Sequence, residues 1–164
     1  MHGVDAIRAA LQSTQHLVNW FLGDLDDADL LVRPVPGANH IAWQMGHLIQ
    51  SEGNLIRQQL PDAAYPELPA GFAEQHGKST QATDPPVGFA GKAVYLDLAD
   101  KARKATLATL GKLSDADLDK PTTGPMAPFA PTLGAVFLLV SNHSLMHAGQ
   151  FSVVRRKLGK PVLF

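Results

Sequence analysis

The sequence contains no cysteine. Disulfide frameworks, thiolate metal sites, iron–sulfur clusters and cysteine nucleophiles are therefore excluded. Any transition metal would have to be held by histidine and carboxylate side chains, because these are the other common protein ligands. The candidate ligands are the seven histidines and the aspartates and glutamates.

The sequence also lacks an excess of either charge. Fourteen basic and 15 acidic side chains give a formal net charge of −1, so no broad basic field exists to hold a nucleic-acid backbone. No apolar stretch reaches the roughly 20 residues of a membrane span, and the N-terminus lacks the basic-then-apolar pattern of an export signal. We therefore expect a cytoplasmic protein that acts on a small molecule and has no nucleic-acid or membrane partner.

Proline and glycine, 12 and 14 of the 164 residues, concentrate between four segments with helical periodicity. Apolar residues recur in these segments at steps of three and four, which is the pattern of an amphipathic helix. Asn39 is the expected N-cap of the second helix and Thr132 that of the fourth. The predicted helices cover approximately residues 4–22, 41–60, 94–110 and 133–157.

Two long loops are predicted between these helices. Residues 61–91 separate the second helix from the third, with room for one short helix, and residues 121–131 separate the third from the fourth. A long loop in a compact domain is often functional, so the first loop is a candidate cover for a site. Without the alternating pattern of strands, the chain is predicted to be an all-α four-helix bundle, a single domain over residues 1–164.

Two histidines, His143 and His147, stand four residues apart on the predicted fourth helix. Residues at this spacing lie one turn apart on one helix face, so both imidazoles can reach the same point. The pair alone is also compatible with two histidines that are hydrogen-bonded to their neighbours on a bundle face.

A third histidine, His47, lies in the middle of the predicted second helix, next to the apolar pair Leu48 and Ile49. Three neutral imidazoles that converge from two helices would form an open metal site with room for water or substrate, as in catalytic zinc sites. The metal would lower the pKa of a bound water into the neutral range. His47, His143 and His147 are therefore the predicted metal ligands.

Other residues on the same helix faces are candidates for the substrate pocket. Trp43 and Ser51 lie one turn to either side of His47, whereas Glu52 points away from the ligand direction. Gln150 shares the face of the histidine pair and would bind substrate or orient a ligand, or else fill space between helices. His40 lies two turns before His47, at the pocket mouth or exposed in a loop.

Glycines beside the predicted ligands, Gly46 and Gly149, each cost a helix about 1 kcal/mol relative to alanine. A close approach between helices would explain both.

Spacing excludes two other metal sites. A di-iron bundle needs a glutamate three residues before each histidine, but those positions hold Gln44, Val140 and Ser144. A zinc protease helix needs glutamate directly after its first histidine, and Ser144 stands there.

Two segments together resemble the signatures of the DinB-like (YfiT-like) metalloenzyme family. Residues 33–48, RPVPGANHIAWQMGHL, combine a proline-rich turn, a tryptophan and Gly-His-Leu, and residues 143–150, HSLMHAGQ, place Gly-Gln after the histidine pair. The resemblance implies a four-helix bundle with a divalent metal, usually zinc or nickel, held by His47, His143 and His147. It also implies a homodimer, and transferase or isomerase chemistry with a low-molecular-weight thiol such as bacillithiol or mycothiol.

The chain departs from this family pattern at Ser144 and Ala148, where relatives often carry glutamate and arginine. This difference weakens the thiol-transferase assignment and leaves the metal site intact. The leading hypothesis is a metal-dependent enzyme that activates a thiol or water, as a thiol S-transferase or a hydrolase.

Two other hypotheses remain open: a non-catalytic, stress-related metal- or ligand-binding bundle, and an interaction protein with structural histidines. A basic cluster near the C-terminus would either bind a partner or complement the end of the last helix; it comprises Arg155, Arg156, Lys157 and Lys160.

Overall fold

The computed structural model describes residues 2–163, and these form a four-helix bundle as predicted. Two short helices and one 3-10 turn, Asp29–Leu31, lie in the connections. The α-helices are α1 Gly3–Leu22, α2 Ile41–Gln59, α3 Phe72–Gln75, α4 Lys92–Leu110, α5 Asp115–Leu118 and α6 Leu133–Lys157. No helix in this part of the chain has the length and apolar character needed to cross a membrane.

The long helices α1, α6, α2 and α4 pack around a shared core in that cyclic order. The apolar faces expected from the periodicity point inward, and Leu11, Ile41 and Ile56 are completely buried. Because α2 and α6 pack directly against each other, side chains from their middle turns meet inside the bundle.

The helix caps confirm one prediction and correct another. Thr132 caps α6, since its side chain accepts a hydrogen bond from the backbone N–H of Ala135. The prediction that Asn39 caps α2 is wrong: the cap is His40, whose Nδ1 accepts from the backbone N–H of Trp43 at 3.2 Å. The carbonyl of Asn39 instead accepts from the side-chain amide of Gln44 at 2.8 Å.

A buried polar cluster connects all four long helices at their centre. Arg103 of α4 donates from Nε and Nη2 to the two carboxylate oxygens of Glu52 on α2, at 2.8 and 3.0 Å. The same guanidinium donates to the carbonyl of Leu11 on α1 and, at 3.2 Å, to the hydroxyl of Ser144 on α6. Thr106 adds a hydrogen bond to Glu52 at 2.6 Å. These hydrogen bonds give both the buried guanidinium of Arg103 and the buried carboxylate of Glu52 their partners.

The C-terminal basic cluster is used largely within the chain. Arg155 is buried and pairs with Asp24, which lowers the pKa of that carboxyl. Lys157 donates to the carbonyl of Arg33 at 2.8 Å, and Lys160 to that of Asp24 at 3.0 Å. These contacts tie the end of α6 to the connection between α1 and α2, which leaves only part of the cluster for a partner.

Candidate metal centre

The three histidines predicted as ligands lie together where α2 faces α6. One ring nitrogen from each of His47, His143 and His147 falls within 4.8 Å of the other two. The Nε2 atoms of His143 and His147 are 3.2 Å apart. The arrangement follows from the fold, because α2 contributes its middle turn and α6 contributes two residues one turn apart.

A hydrogen-bond relay fixes the ring of His147. Its Nδ1 lies 2.7 Å from Oε1 of Gln44, and the amide nitrogen of Gln44 donates to the carbonyl of Asn39. Since that second bond turns the amide oxygen toward His147, Nδ1 must carry the proton and Nε2 must present its lone pair to the other histidines. This role of Gln44 was not predicted; its place one turn before His47 on α2 was the available signal.

Trp43 lies flat against His47, with ring centroids 5.0 Å apart and planes within 9°. Its indole N–H donates to the carbonyl of Gly77 at 3.2 Å. The side chain of Gln50 donates to the carbonyl of His76 at 3.0 Å. The first long loop is therefore fastened to α2 on both sides of His47, and Trp43 holds the ring of that ligand.

His76 is a buried histidine that was not predicted to lie near the site. Its Nδ1 donates to the carbonyl of Phe72 at 2.7 Å, so its Nε2 accepts from the hydroxyl of Tyr95 at 2.9 Å. The ring lies directly over Gly46, where an added Cβ would come within 2.1 Å of it. Gly46 is thus explained by the close approach of a loop residue.

The matching expectation for Gly149 is wrong. Within the described residues a Cβ there would find open space, so none of the described helices approaches it closely.

Burial keeps the three histidines neutral. Together with a smaller effect from the neighbouring imidazoles, it lowers the pKa of His147 to about 3 and that of His143 to about 4. Burial also lowers the pKa of His47, with a smaller effect from the positive charge of Lys78. At neutral pH all three rings therefore offer lone pairs, which is the protonation state that metal binding requires.

A cavity of about 350 Å³ opens beside His47 and His143. Ser51 lines it, together with Asn54, Leu55, Gln58, Pro125, Met126 and Leu139. Glu52 points away, as expected, and pairs with Arg103. Among the residues that the structure describes, no carboxylate belongs to the histidine cluster.

Three of the four predicted pocket residues, Trp43, Gln150 and His40, do not line this cavity. Trp43 is buried against the ring of His47. Gln150 is exposed and does not line the cavity. His40 is completely buried and therefore neither exposed nor at the pocket mouth: it caps α2 and packs edge-on against Phe89, with ring centroids 4.4 Å apart. Burial lowers its pKa to about 4. The helical spacing placed His40 near the ligand face, but the chain leaves the helix at that residue.

The residues fit a divalent transition metal. Three neutral imidazoles form a donor set for zinc, nickel, copper or iron, and one of them is oriented by a hydrogen bond to its second nitrogen. The adjoining cavity leaves the site between the imidazoles accessible from one side.

Comparison with known proteins identifies the same architecture elsewhere. A conserved protein from Enterococcus faecalis matches with a TM-score of 0.74 and 18% identity, covering 98% of this chain and 99% of that one. YfiT from Bacillus subtilis, described as a probable metal-dependent hydrolase with an unusual four-helix bundle topology, matches with a TM-score of 0.69 and 18% identity, covering 96% and 89%. No curated protein matches the sequence. The family model of the DinB superfamily matches residues 10–151, and the chain therefore belongs to that superfamily.

Proposed function

We propose that the protein is a divalent-metal-dependent enzyme whose ion is held by His47, His143 and His147. The observation that carries this proposal is the bond from His147 Nδ1 to Gln44, because it turns the free Nε2 lone pair toward two other neutral imidazoles. The Bacillus relative, which is described as a probable metal-dependent hydrolase, supports the proposal of a metal-dependent enzyme. Zinc and nickel are the ions we favour for imidazole ligands.

The reaction we propose is attack by water or a thiol on a small electrophilic molecule, which gives a hydrolase or a thiol S-transferase. A bound divalent ion would supply the Lewis acidity that makes such a nucleophile available near neutral pH. Trp43 holds the plane of His47, and Ser51 faces the cavity where the electrophile would bind. A low-molecular-weight thiol is the candidate co-substrate for the transferase.

Removing the metal is expected to abolish turnover reversibly. Zinc-loaded and nickel-loaded protein would be screened against esters and amides, and against thiols paired with electrophiles. A chelator should lower any turnover found to below about a tenth, and one equivalent of metal per chain should restore it. Turnover that survives complete metal removal would contradict the proposal.

A second candidate is a metal- or ligand-binding protein without catalysis. It is favoured by the cavity's lack of a carboxylate, and by Ser144, whose hydroxyl is held by Arg103 rather than facing the site. Tight metal binding without turnover across the same screen would support this candidate.

We further propose that the protein forms a homodimer through the outer face of α6. Residues 133–154 contain no Asp, Glu, Lys or Arg, and four large apolar side chains on the outside of this segment are 42–57% exposed. They are Leu138, Leu145, Met146 and Val153. A second copy would cover this face without burying a charge, and Gly149 would allow a close approach.

Light scattering is expected to give twice the chain mass of 17.6 kDa for the wild type. Leu145→Glu should yield monomers, because it would place two like charges in the interface. The control Val87→Glu, on an exposed loop residue, should remain dimeric. A monomeric wild type would refute this interface.

A further inference from the structure

We propose that Lys78 determines the specificity of the candidate site: its ammonium group binds a carboxylate on the small molecule that occupies the cavity beside His47 and His143. This inference rests on the proposed function and specifies the substrate class of the same site as small carboxylic acids.

The candidate metal site has no negative charge to balance a divalent ion. Its three donors are neutral imidazoles, and no carboxylate among the described residues joins them. Within the described part of the chain, no acidic side chain lines the adjoining cavity, and the buried carboxylate of Glu52 is already paired with Arg103. Because neutral ligands leave the ion its full positive charge, the site favours a molecule that brings a negative charge with it.

Lys78 lies beside the histidines on a turn that α2 holds in place. The carbonyl of Gly77 accepts from the indole N–H of Trp43 at 3.2 Å, and Trp43 lies flat on the ring of His47. Thr80 closes the turn, since its hydroxyl donates to the same carbonyl at 2.9 Å. Burial is the main cause of the lowered pKa of His47, and the positive charge of Lys78 is the second. That charge is therefore within electrostatic reach of a predicted ligand.

The ammonium group of Lys78 is exposed and has no hydrogen-bond or ion-pair partner among the described residues. Apart from Lys112, the other lysines donate to a carboxylate or a backbone carbonyl; they are Lys92, Lys101, Lys104, Lys120, Lys157 and Lys160. The flexible stem of a lysine lets its ammonium group follow a ligand at the mouth of a cavity. A carboxylate between this group and the metal would be attracted by both positive charges.

The polar wall of the cavity adds hydrogen-bond donors. Ser51, Asn54 and Gln58 line it and follow His47 on one face of α2. The amide oxygen of Asn54 accepts from the guanidinium of Arg57 at 3.4 Å, so the amide N–H groups of Asn54 are left to donate elsewhere. Arg57 is thus a second cation beside this wall, and the wall suits an anionic ligand.

The remaining surface of the cavity is largely apolar and limits the size of the ligand. Leu55, Leu139, Pro125 and Met126 contribute it, and the cavity volume is about 350 Å³, near the lower end for small-molecule sites. The cavity therefore suits a short aliphatic acid that has its reactive group at the metal and its carboxylate towards Lys78.

A matched pair of thiols tests this assignment. 5-Mercaptopentanoate and 5-mercaptopentanamide share one chain and differ only in the terminal carboxylate or amide. Each would be titrated into the cobalt-loaded protein, where the thiol anchors both molecules at the metal and changes the visible cobalt spectrum. We expect the wild type to bind the carboxylate about tenfold more tightly than the amide.

Lys78→Gln is expected to weaken binding of the carboxylate about fivefold and to change binding of the amide less than about twofold. Lys78→Arg keeps the positive charge and should keep the preference. Lys112→Gln removes the other unpaired lysine and should behave as the wild type does. Equal binding of the two thiols to the wild type would overturn the inference. So would a preference that Lys78→Gln leaves unchanged, because the carboxylate would then be bound without this lysine.

Cobalt binding separates this inference from the function on which it rests. If cobalt does not bind at all, the proposed function fails. The same two thiols would then be titrated into the metal-free protein, with the backbone NMR shift of Ser51 as the readout. Tighter binding of the carboxylate that is lost in Lys78→Gln would still support the inference, and equal or undetectable binding of the two thiols would overturn it.

Discussion

Replacing His143 by alanine is expected to weaken zinc or nickel binding by more than about a hundredfold. Loss of a bond that merely orients a ligand lowers metal affinity about 10- to 100-fold, and this variant removes a ligand. His143 is also the residue whose Nε2 lies 3.2 Å from that of His147, so the remaining donors would be one imidazole on each helix. Calorimetric titration gives the affinity, and elemental analysis should fall from about one equivalent per chain to below a tenth.

Two further variants make this test specific. Gln44→Leu leaves all three imidazoles in place but removes the acceptor for His147 Nδ1, so we expect an intermediate loss of about 10- to 100-fold. His16→Ala removes an exposed histidine of α1 and should bind metal as the wild type does. A His143→Ala protein that retains full occupancy would show that the metal lies elsewhere or that two histidines suffice.

The histidine cluster could be predicted because most of its geometry is local. The spacing of His143 and His147 places both rings on one face of any helix. Adding His47 to the cluster required one further assumption, that α2 packs against α6. The four long helices could be predicted from the apolar periodicity, because that pattern is also local in the sequence. Helix ends were less certain, since Asn39 and His40 are neighbours that both can cap, and only the backbone path decides between them.

Contacts between distant segments could not be predicted in this way. The path of the first long loop brings His76 onto Gly46 and the carbonyl of Gly77 onto Trp43, and nothing periodic in the loop encodes that path. Glu52 and Arg103 are 51 residues apart. In a single sequence each is most simply interpreted as a surface charge, because an isolated buried charge would be unfavourable.

The buried pair of Glu52 and Arg103 leads to the second large expected effect. Arg103→Met is expected to lower the free energy of unfolding by about 3–5 kcal/mol, because it leaves the Glu52 carboxylate buried without its cation. The two side chains are only 9% and 4% exposed, so water cannot readily replace the lost partner. Urea denaturation at neutral pH, followed by helical circular dichroism, measures the difference.

Matched variants separate this burial effect from the general loss of a positive charge on α4. Lys101→Met breaks the exposed pair with Asp97, in which both side chains are more than half exposed, and should cost no more than about 1 kcal/mol. The double variant Glu52→Leu, Arg103→Met should recover much of the stability lost in Arg103→Met, since no unpaired charge remains in the core. If Arg103→Met and Lys101→Met destabilise the protein equally, the central cluster does not depend on its ion pair. If the double variant is less stable than Arg103→Met by several kcal/mol, the hydrogen bonds of Glu52, including the one from Thr106, stabilise the bundle even without the arginine.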